Sequence, residues 1–197
     1  IDRLLRDRYL FQGVNFDLLF GLPKQTHKTI SETLRITKWL SPDRITLLKY
    51  CHAPDVRRHM KLIDENDLPP KEEVPLMFVN MTQELMDEGY QWIGLDHFAK
   101  SSDSLSNGKL YRTFNGFTPG RVKNMVGVGP TATAAFGTTY SQSIYDLPGY
   151  YKSLEEDRFP VLRGYRMTED DLKRREVIFD LLCYQKADLN LYNGYFE

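Results

Sequence analysis

The sequence has little cysteine and no long apolar run. Cys51 and Cys183 are the only cysteines in 197 residues, 132 positions apart. They are too few for a disulfide framework and lack the C-x-x-C or C-x-x-x-C spacing of a metal site. A reducing compartment, hence the cytoplasm, is the expectation. No stretch approaches the ~20 apolar residues that a membrane-spanning helix needs, and no secretory signal is visible. No charge of one sign dominates: 26 Lys and Arg face 27 Asp and Glu, leaving −1 at pH 7. Neither nucleic acid nor an anionic membrane is therefore expected as a partner. G-K-[ST] is missing, which excludes a phosphate-binding P-loop, and there are no low-complexity tracts. What remains is ordinary globular composition, 41% hydrophobic and 27% charged, which predicts a buried core rather than disorder. The chain opens on Ile1 in a charged helical stretch and stops at Glu197 without a capping signal, as a piece of a longer protein would.

Beyond the opening helix, Val14–Phe20 reads as a largely buried strand ended by Gly21-Leu22-Pro23. Lys28–Leu40 reads as a helix with Ile30, Leu34 and either Thr37 or Trp39 inward, stopped by Ser41-Pro42-Asp43. Arg44–Tyr50 is a second strand. After a short helix near Arg57–Leu62, a long helix covers about Lys71–Glu88, with Val74, Met77, Phe78, Met81 and Leu85 at helical spacing. Gly89 sits at the C′ position, and Tyr90–Leu95 is a third strand. The alternation implies parallel pairing, so the first hundred residues form an α/β sheet or part of a barrel. Beyond Ser101, short segments rich in Tyr, Thr, Phe and Gly predict strands and loops to about Ser143. A helix then covers Leu147–Asp157, entered through Pro148, and Pro160–Met167 reads as a linker. Thr168, with Asp171 in capping-box position, opens a helix to about Tyr184. A domain boundary is placed at 162/163.

Side chains at i and i+2 of a strand share a face, so Asn15, Asp17 and Leu19 point away from Val14, Phe16, Leu18 and Phe20. A carboxylate buried there would need hydrogen bonds. Sugar hydroxyls and a cation such as Lys49 explain Asp17 equally well. The second strand runs into Cys51-His52 and the third into Asp96-His97, and in β/α barrels such strand ends line the active site. A lone histidine is more often a satisfied structural group, Asp96–His97 equally a loop-stabilising pair, and Cys51 a small strand-end residue rather than a nucleophile. The stretch from Gly127 through Gly129 to Gly137 lacks the context of a dinucleotide fingerprint. Close backbone approach to a ligand is preferred there over a close-packed strand and turn. Lys173-Arg174-Arg175 reads as a solvated face, while Val177, Ile178, Leu181 and Leu182 read as a packing face.

N-F-D-L-L-F-G-L-P-K-Q-T (Asn15–Thr26) resembles a strand of the oxygen-independent coproporphyrinogen III oxidases and their radical S-adenosylmethionine (SAM) relatives. Cys51-His52-Ala53-Pro54, Gly94–Lys100 (GLDHFAK), Leu110–Thr118 (LYRTFNGFT) and Val126–Ala134 (VGVGPTATA) resemble later segments of the same oxidases, in order. The helix with Arg174-Arg175 and Cys183 resembles the start of their helical C-terminal domain. The resemblance implies the second part of a partial (β/α) barrel over 1–162 and the start of a helical domain over 163–197. It implies S-adenosylmethionine and a [4Fe–4S] cluster as cofactors, and coproporphyrinogen III and an electron donor as partners. In that chemistry a 5′-deoxyadenosyl radical takes hydrogen from a propionate, which then loses carbon dioxide and one electron to become a vinyl group.

By the same resemblance Asp17, with Leu19 on its face, holds the ribose of S-adenosylmethionine, and Cys51 meets the adenine through its backbone. His52, Asp96 and His97 at strand ends, and Gly127 and Gly129 in the Gly-rich stretch, are the candidates for lining the active site. Thr133 stands where the family has an apolar residue against a second S-adenosylmethionine, and Asn115 where it usually has Gln. The family's C-x-x-x-C-x-x-C cluster motif is not in this sequence and is expected upstream. The chain by itself is therefore expected to be inactive and, with open strand edges, to self-associate, whereas the full-length protein is expected to be a monomer. The rivals are a haem chaperone of the same fold and a non-catalytic α/β binding domain.

Overall fold

The computed structural model describes residues 10–11, 13–120, 122 and 124–188. The opening helix falls outside them. They form two compact units, one ending at Gly108 and one beginning at Lys109.

In the first unit, β1 (Asn15–Phe20) and β2 (Arg44–Lys49) pair in parallel around α1 (His27–Leu40). Thr26 caps α1 through a capping box with Thr29, and Ser41 ends it in a left-handed conformation. Two short 3-10 turns, Arg58–Leu62 and Glu65–Asp67, lead to α2 (Glu73–Asp87), which gives way at Gly89 to β3 (Tyr90–Gly94). The three expected strands are present, but β3 does not pair with β2. A fourth strand, β4 (His97–Lys100), lies between them and runs antiparallel to both, so the order is β1-β2-β4-β3. The reason is local. Gly94 and Leu95 take positive φ, 153° and 50°, and fold the chain back on itself within two residues. His97 is consequently the first residue of a return strand, not a residue trailing β3.

The apolar side chains of one sheet face meet both helices. Phe20, Ile45, Leu47 and Phe98 from the strands pack with Ile30 and Leu34 of α1 and Met77, Met81 and Leu85 of α2. Burial of this set supplies the main stabilisation, roughly 1.5–3 kcal/mol for each large side chain. Thr37 is the inward residue of the α1 pair considered, while Trp39 is 75% exposed. β1 is not largely buried: Asn15, Asp17 and Leu19 are exposed, because β1 is an edge strand and the helices lie on the other face.

The second unit opens with the hairpin β5 (Leu110–Thr113) and β6 (Gly116–Pro119). A three-stranded antiparallel sheet follows, β7 (Thr133–Phe136), β8 (Thr139–Ser143) and β9 (Val161–Arg166). Between β8 and β9 lies α3 (Leu147–Glu155), capped by Asp146. β9 occupies the segment read as a linker and crosses 162/163. Its residues are all exposed, so no burial pattern advertised it; its pairing with β8 makes it a strand. The last element, α4 (Glu169–Tyr184), carries the expected Thr168–Asp171 capping box. Ile178 and Leu181 are about half exposed, while Cys183 is buried. The inward face of α4 is turned from the one the sequence suggested. It includes Phe179, whose ring meets Tyr111 of β5 with centroids 4.6 Å apart. No helix among the described residues is long and apolar enough to cross a membrane.

Candidate functional site

The face of the first sheet opposite the helices is polar. Asp17 is registered with Thr46, and Thr46 with His97, so the three project side by side across β1, β2 and β4. Thr46, nearly buried, donates its hydroxyl hydrogen to Asn15 Oδ1 at 3.2 Å. Asn15 Nδ2 donates to Asp17 Oδ1 at 2.7 Å. This relay holds the Asp17 carboxylate with one oxygen used. Lys49 is registered with Phe20, hence directed to the other face, so the cation explanation for Asp17 fails. The burial argument also needs correction, since Asp17 is exposed in this chain. An open carboxylate with acceptor capacity left suits a pair of hydroxyl donors. Leu19, 47% exposed, continues the same face.

His97 Nδ1 lies 2.6 Å from Asp96 Oδ1, and the His97 side chain is 14% exposed. The pair is a close charge-assisted contact that fixes the ring beside Thr46. His52 follows β2, held between Tyr50 Oη at 3.3 Å and Glu65 Oε1 at 3.6 Å. Those contacts give it a structural role of its own. Cys51 is exposed at the end of β2. The sequence reading missed Thr46, whose burial depends on its neighbours across the sheet.

The remaining candidates fall in the second unit. Asn115 occupies the β5–β6 turn, its backbone N–H donating to Thr113 Oγ1 at 3.2 Å. Thr133 opens β7, with its hydroxyl buried. Gly127 is accounted for by packing, since a Cβ there would lie 2.3 Å from the Thr133 carbonyl oxygen. Gly129 has φ +108° with open space around it, so its backbone conformation is the reason for glycine.

Thr133 lines a cavity of about 590 Å³ whose walls include Phe114, Tyr140, Tyr165 and Phe179 together with Arg112, Arg163 and Arg175. Asn115 is not in its wall. Arg112 and Arg175 were not singled out from the sequence. Arg112 is an isolated cation in a short strand, and Arg175 ends a basic run in which Lys173 and Arg174 are indeed exposed. Burial pushes the Cys183 thiol up, which makes it a poor nucleophile. Tyr165 donates to Asp171 Oδ2 at 2.7 Å, raising the phenol and lowering the carboxyl from their ordinary values. Among the described residues, no group of His, Cys, Asp and Glu could hold a metal ion.

No protein-family model matches the chain. Its fold matches that of a radical SAM enzyme, a solved structure of coproporphyrinogen III oxidase from Escherichia coli. The TM-score is 0.88 and the identity 34%, over 96% of this chain and 45% of that one. Curated proteins named oxygen-independent coproporphyrinogen III oxidase are similar in sequence. That of Synechocystis sp. is 37% identical over 89% of this chain and 39% of its own length. That of Helicobacter pylori strain 26695 is 36% identical over 94% and 41%, and that of E. coli K12 is 35% identical over 90% and 40%. The chain is thus homologous to a segment of the oxygen-independent coproporphyrinogen III oxidases. It spans about two fifths of the length of the curated relatives it matches.

Proposed function

We propose that this chain is part of an oxygen-independent coproporphyrinogen III oxidase and supplies a wall of its S-adenosylmethionine site. In that reaction two propionates of coproporphyrinogen III lose carbon dioxide and become the vinyls of protoporphyrinogen IX, an oxidation for which S-adenosylmethionine and a [4Fe–4S] cluster supply the one-electron chemistry. The cluster's ligands do not fit any residues described here, and belong to a part of the whole protein that this chain does not include. The 162/163 boundary read from the sequence falls inside β9, so the start of the family's helical domain is assigned to α4 (Glu169–Tyr184) instead, on the strength of the resemblance.

The observation that carries the reading is the Thr46–Asn15–Asp17 relay. It orients an open carboxylate on the polar face of a strand resembling the family's ribose-binding strand. Asp17 would accept hydrogen bonds from both ribose hydroxyls, and Cys51 would meet the adenine through its backbone. Leu19, His97 and Asp96 would shape the surface beside the sugar and keep water from it.

The test uses the whole protein with its cluster. Asp17→Ala should weaken S-adenosylmethionine binding about tenfold or more, since hydrogen bonds to a charged group are lost, and turnover of coproporphyrinogen III should fall with it. Unchanged affinity would remove Asp17 from the site. The isolated chain should show no decarboxylation; turnover by it would overturn the assignment of the cluster elsewhere.

A further inference from the structure

Among the described residues of the first unit, the most exposed aliphatic side chains lie in the loop after β2, Val56 at 83% and Leu62 at 89%. Between them stand Arg57, Arg58, His59 and Lys61, all but Met60 of the intervening residues exposed and none an acid. Among the described residues these four side chains make no hydrogen bond or ion pair. Lys24, Arg35, Lys38 and Arg44 of the same unit, by contrast, each face a carboxylate. A single exposed aliphatic residue needs no explanation. Two of them framing three unneutralised cations make a patch with a charge and an apolar centre.

The patch has a fixed support. The N–H groups of Val56 and Arg57 donate to the Ala53 carbonyl at 3.1 and 2.8 Å, and the 3-10 turn Arg58–Leu62 follows. The Ala53 N–H donates to Met60 Sδ at 3.3 Å, which draws Met60 inward and leaves His59 and Lys61 outward. The next turn, Glu65–Asp67, is anchored twice. Glu65 lies 3.6 Å from His52, and the Asp67 carbonyl accepts from the Lys24 N–H at 2.6 Å. Both anchors follow the ends of β2 and β1, so the loop sits at the C-terminal end of the parallel pair, where β/α active sites open.

Shape and charge indicate the occupant. Exposures this high belong to a convex surface, whereas small molecules need a concave one, so the partner is a macromolecule. Permanently buried interfaces are depleted in charge, Lys included, while transient ones keep it around an apolar centre. Weak electron-transfer encounters use the smallest such interfaces. We infer that residues 56–62 dock an acidic one-electron carrier protein, with Arg57, Arg58 and Lys61 steering its acidic face and Val56 and Leu62 making the apolar contact. The carrier loses one electron, which S-adenosylmethionine takes up as its sulfonium–carbon bond breaks. The choice of an electron carrier rests on the proposed function; the preference for an acidic protein rests on the loop's own residues.

The test uses the whole protein with its cluster and S-adenosylmethionine, and reads the 5′-deoxyadenosine formed with two reductants. One is an acidic flavodoxin kept reduced by its reductase; the other is dithionite, which needs no docking surface. Calorimetry measures flavodoxin binding separately. Arg57→Glu, Arg58→Glu and Lys61→Glu should each raise the half-saturating flavodoxin concentration about threefold, and the triple variant about thirtyfold. Val56→Ser combined with Leu62→Ser should raise it about tenfold. Added salt should weaken binding to the unaltered protein and matter less to the triple variant. Dithionite-driven formation should stay unchanged throughout, which separates lost docking from lost folding, and Arg35→Glu on α1, outside the patch, should change nothing. The salt dependence of the unaltered protein needs no variant. If dithionite yields no 5′-deoxyadenosine with the unaltered protein, the proposed function fails, and calorimetry still decides whether the loop docks an acidic protein. Flavodoxin affinity indifferent to salt and to all three reversals, turnover with dithionite but none with flavodoxin, or tighter binding of phosphatidylglycerol vesicles than of flavodoxin would overturn the inference.

Discussion

Replacing Gly127 with Ala tests whether the glycine-rich segment is shaped by packing or by a ligand. The added Cβ would sit 2.3 Å from the Thr133 carbonyl oxygen and 3.0 Å from Ala132 Cβ, far inside van der Waals contact. The segment cannot easily recede, because Met125 and Ala135 exchange backbone hydrogen bonds of 2.7 and 2.8 Å just beside it. Relief of the overlap therefore requires opening that bridge. Overpacking alone costs about 1–3 kcal/mol, and each bridge hydrogen bond lost adds about 1 kcal/mol, so a loss of at least roughly 2 kcal/mol is expected. Gly137→Ala is the control. Its φ is +57° with nothing within 4 Å, so only the left-handed backbone is penalised, by about 1–2 kcal/mol. Urea unfolding gives the stabilities, and hydrogen exchange separates the causes. Gly127→Ala should accelerate exchange of the Met125 and Ala135 amides specifically, whereas Gly137→Ala should not. Normal exchange and full stability in Gly127→Ala would refute the packing explanation and return that glycine to a ligand-contact role.

The other expectations concern stability. Arg44 Nε lies 3.0 Å from both oxygens of Asp103, whose side chain is 4% exposed. Arg44→Met should cost roughly 3 kcal/mol by leaving that carboxylate without its cation, measured by urea unfolding; a change under about 1 kcal/mol would mean water replaces the arginine. Leu34, fully buried, should cost about 2–5 kcal/mol as Ala, and a smaller loss in thermal melts would show that α1 collapses onto the gap. Asp171 is held below the ordinary aspartate value of 3.8 by hydrogen bonds from Tyr165 and Thr168. A lowered carboxyl stabilises fully above its unfolded value and stops doing so as pH falls through the folded one. The start of α4 should therefore loosen only below about pH 4, and Asp171→Asn should remove that pH dependence. A loosening that persists in Asp171→Asn would assign it to another acid.

Much of the local structure was legible in the chain. The helices at 27–40, 73–87 and 169–184 follow from apolar spacing and, for the last, from the cap at Thr168, which are short-range effects. The period-two alternation of β1 puts Asn15, Asp17 and Leu19 on one face. β4 was not legible, because His97–Lys100 looks like the tail of β3 until the turn at Gly94-Leu95 folds it back. β9 was not legible either, since an exposed strand carries no burial pattern and exists through its partner β8.

The sequence by itself determined which residues share a face of each element, where the helices begin, and which family's motifs run through the chain in order. Those are properties of neighbours along the backbone, set by dihedral preference and side-chain period. Tertiary structure alone decided that Thr46 steadies Asp17 through Asn15, residues as far as 31 positions apart. It alone gathered Arg112, Thr133 and Arg175 around one cavity and left one buried polar atom of each without a partner. Strand register and the folding of α4 onto its own unit bring distant residues together, and no local pattern encodes which distant residue will arrive.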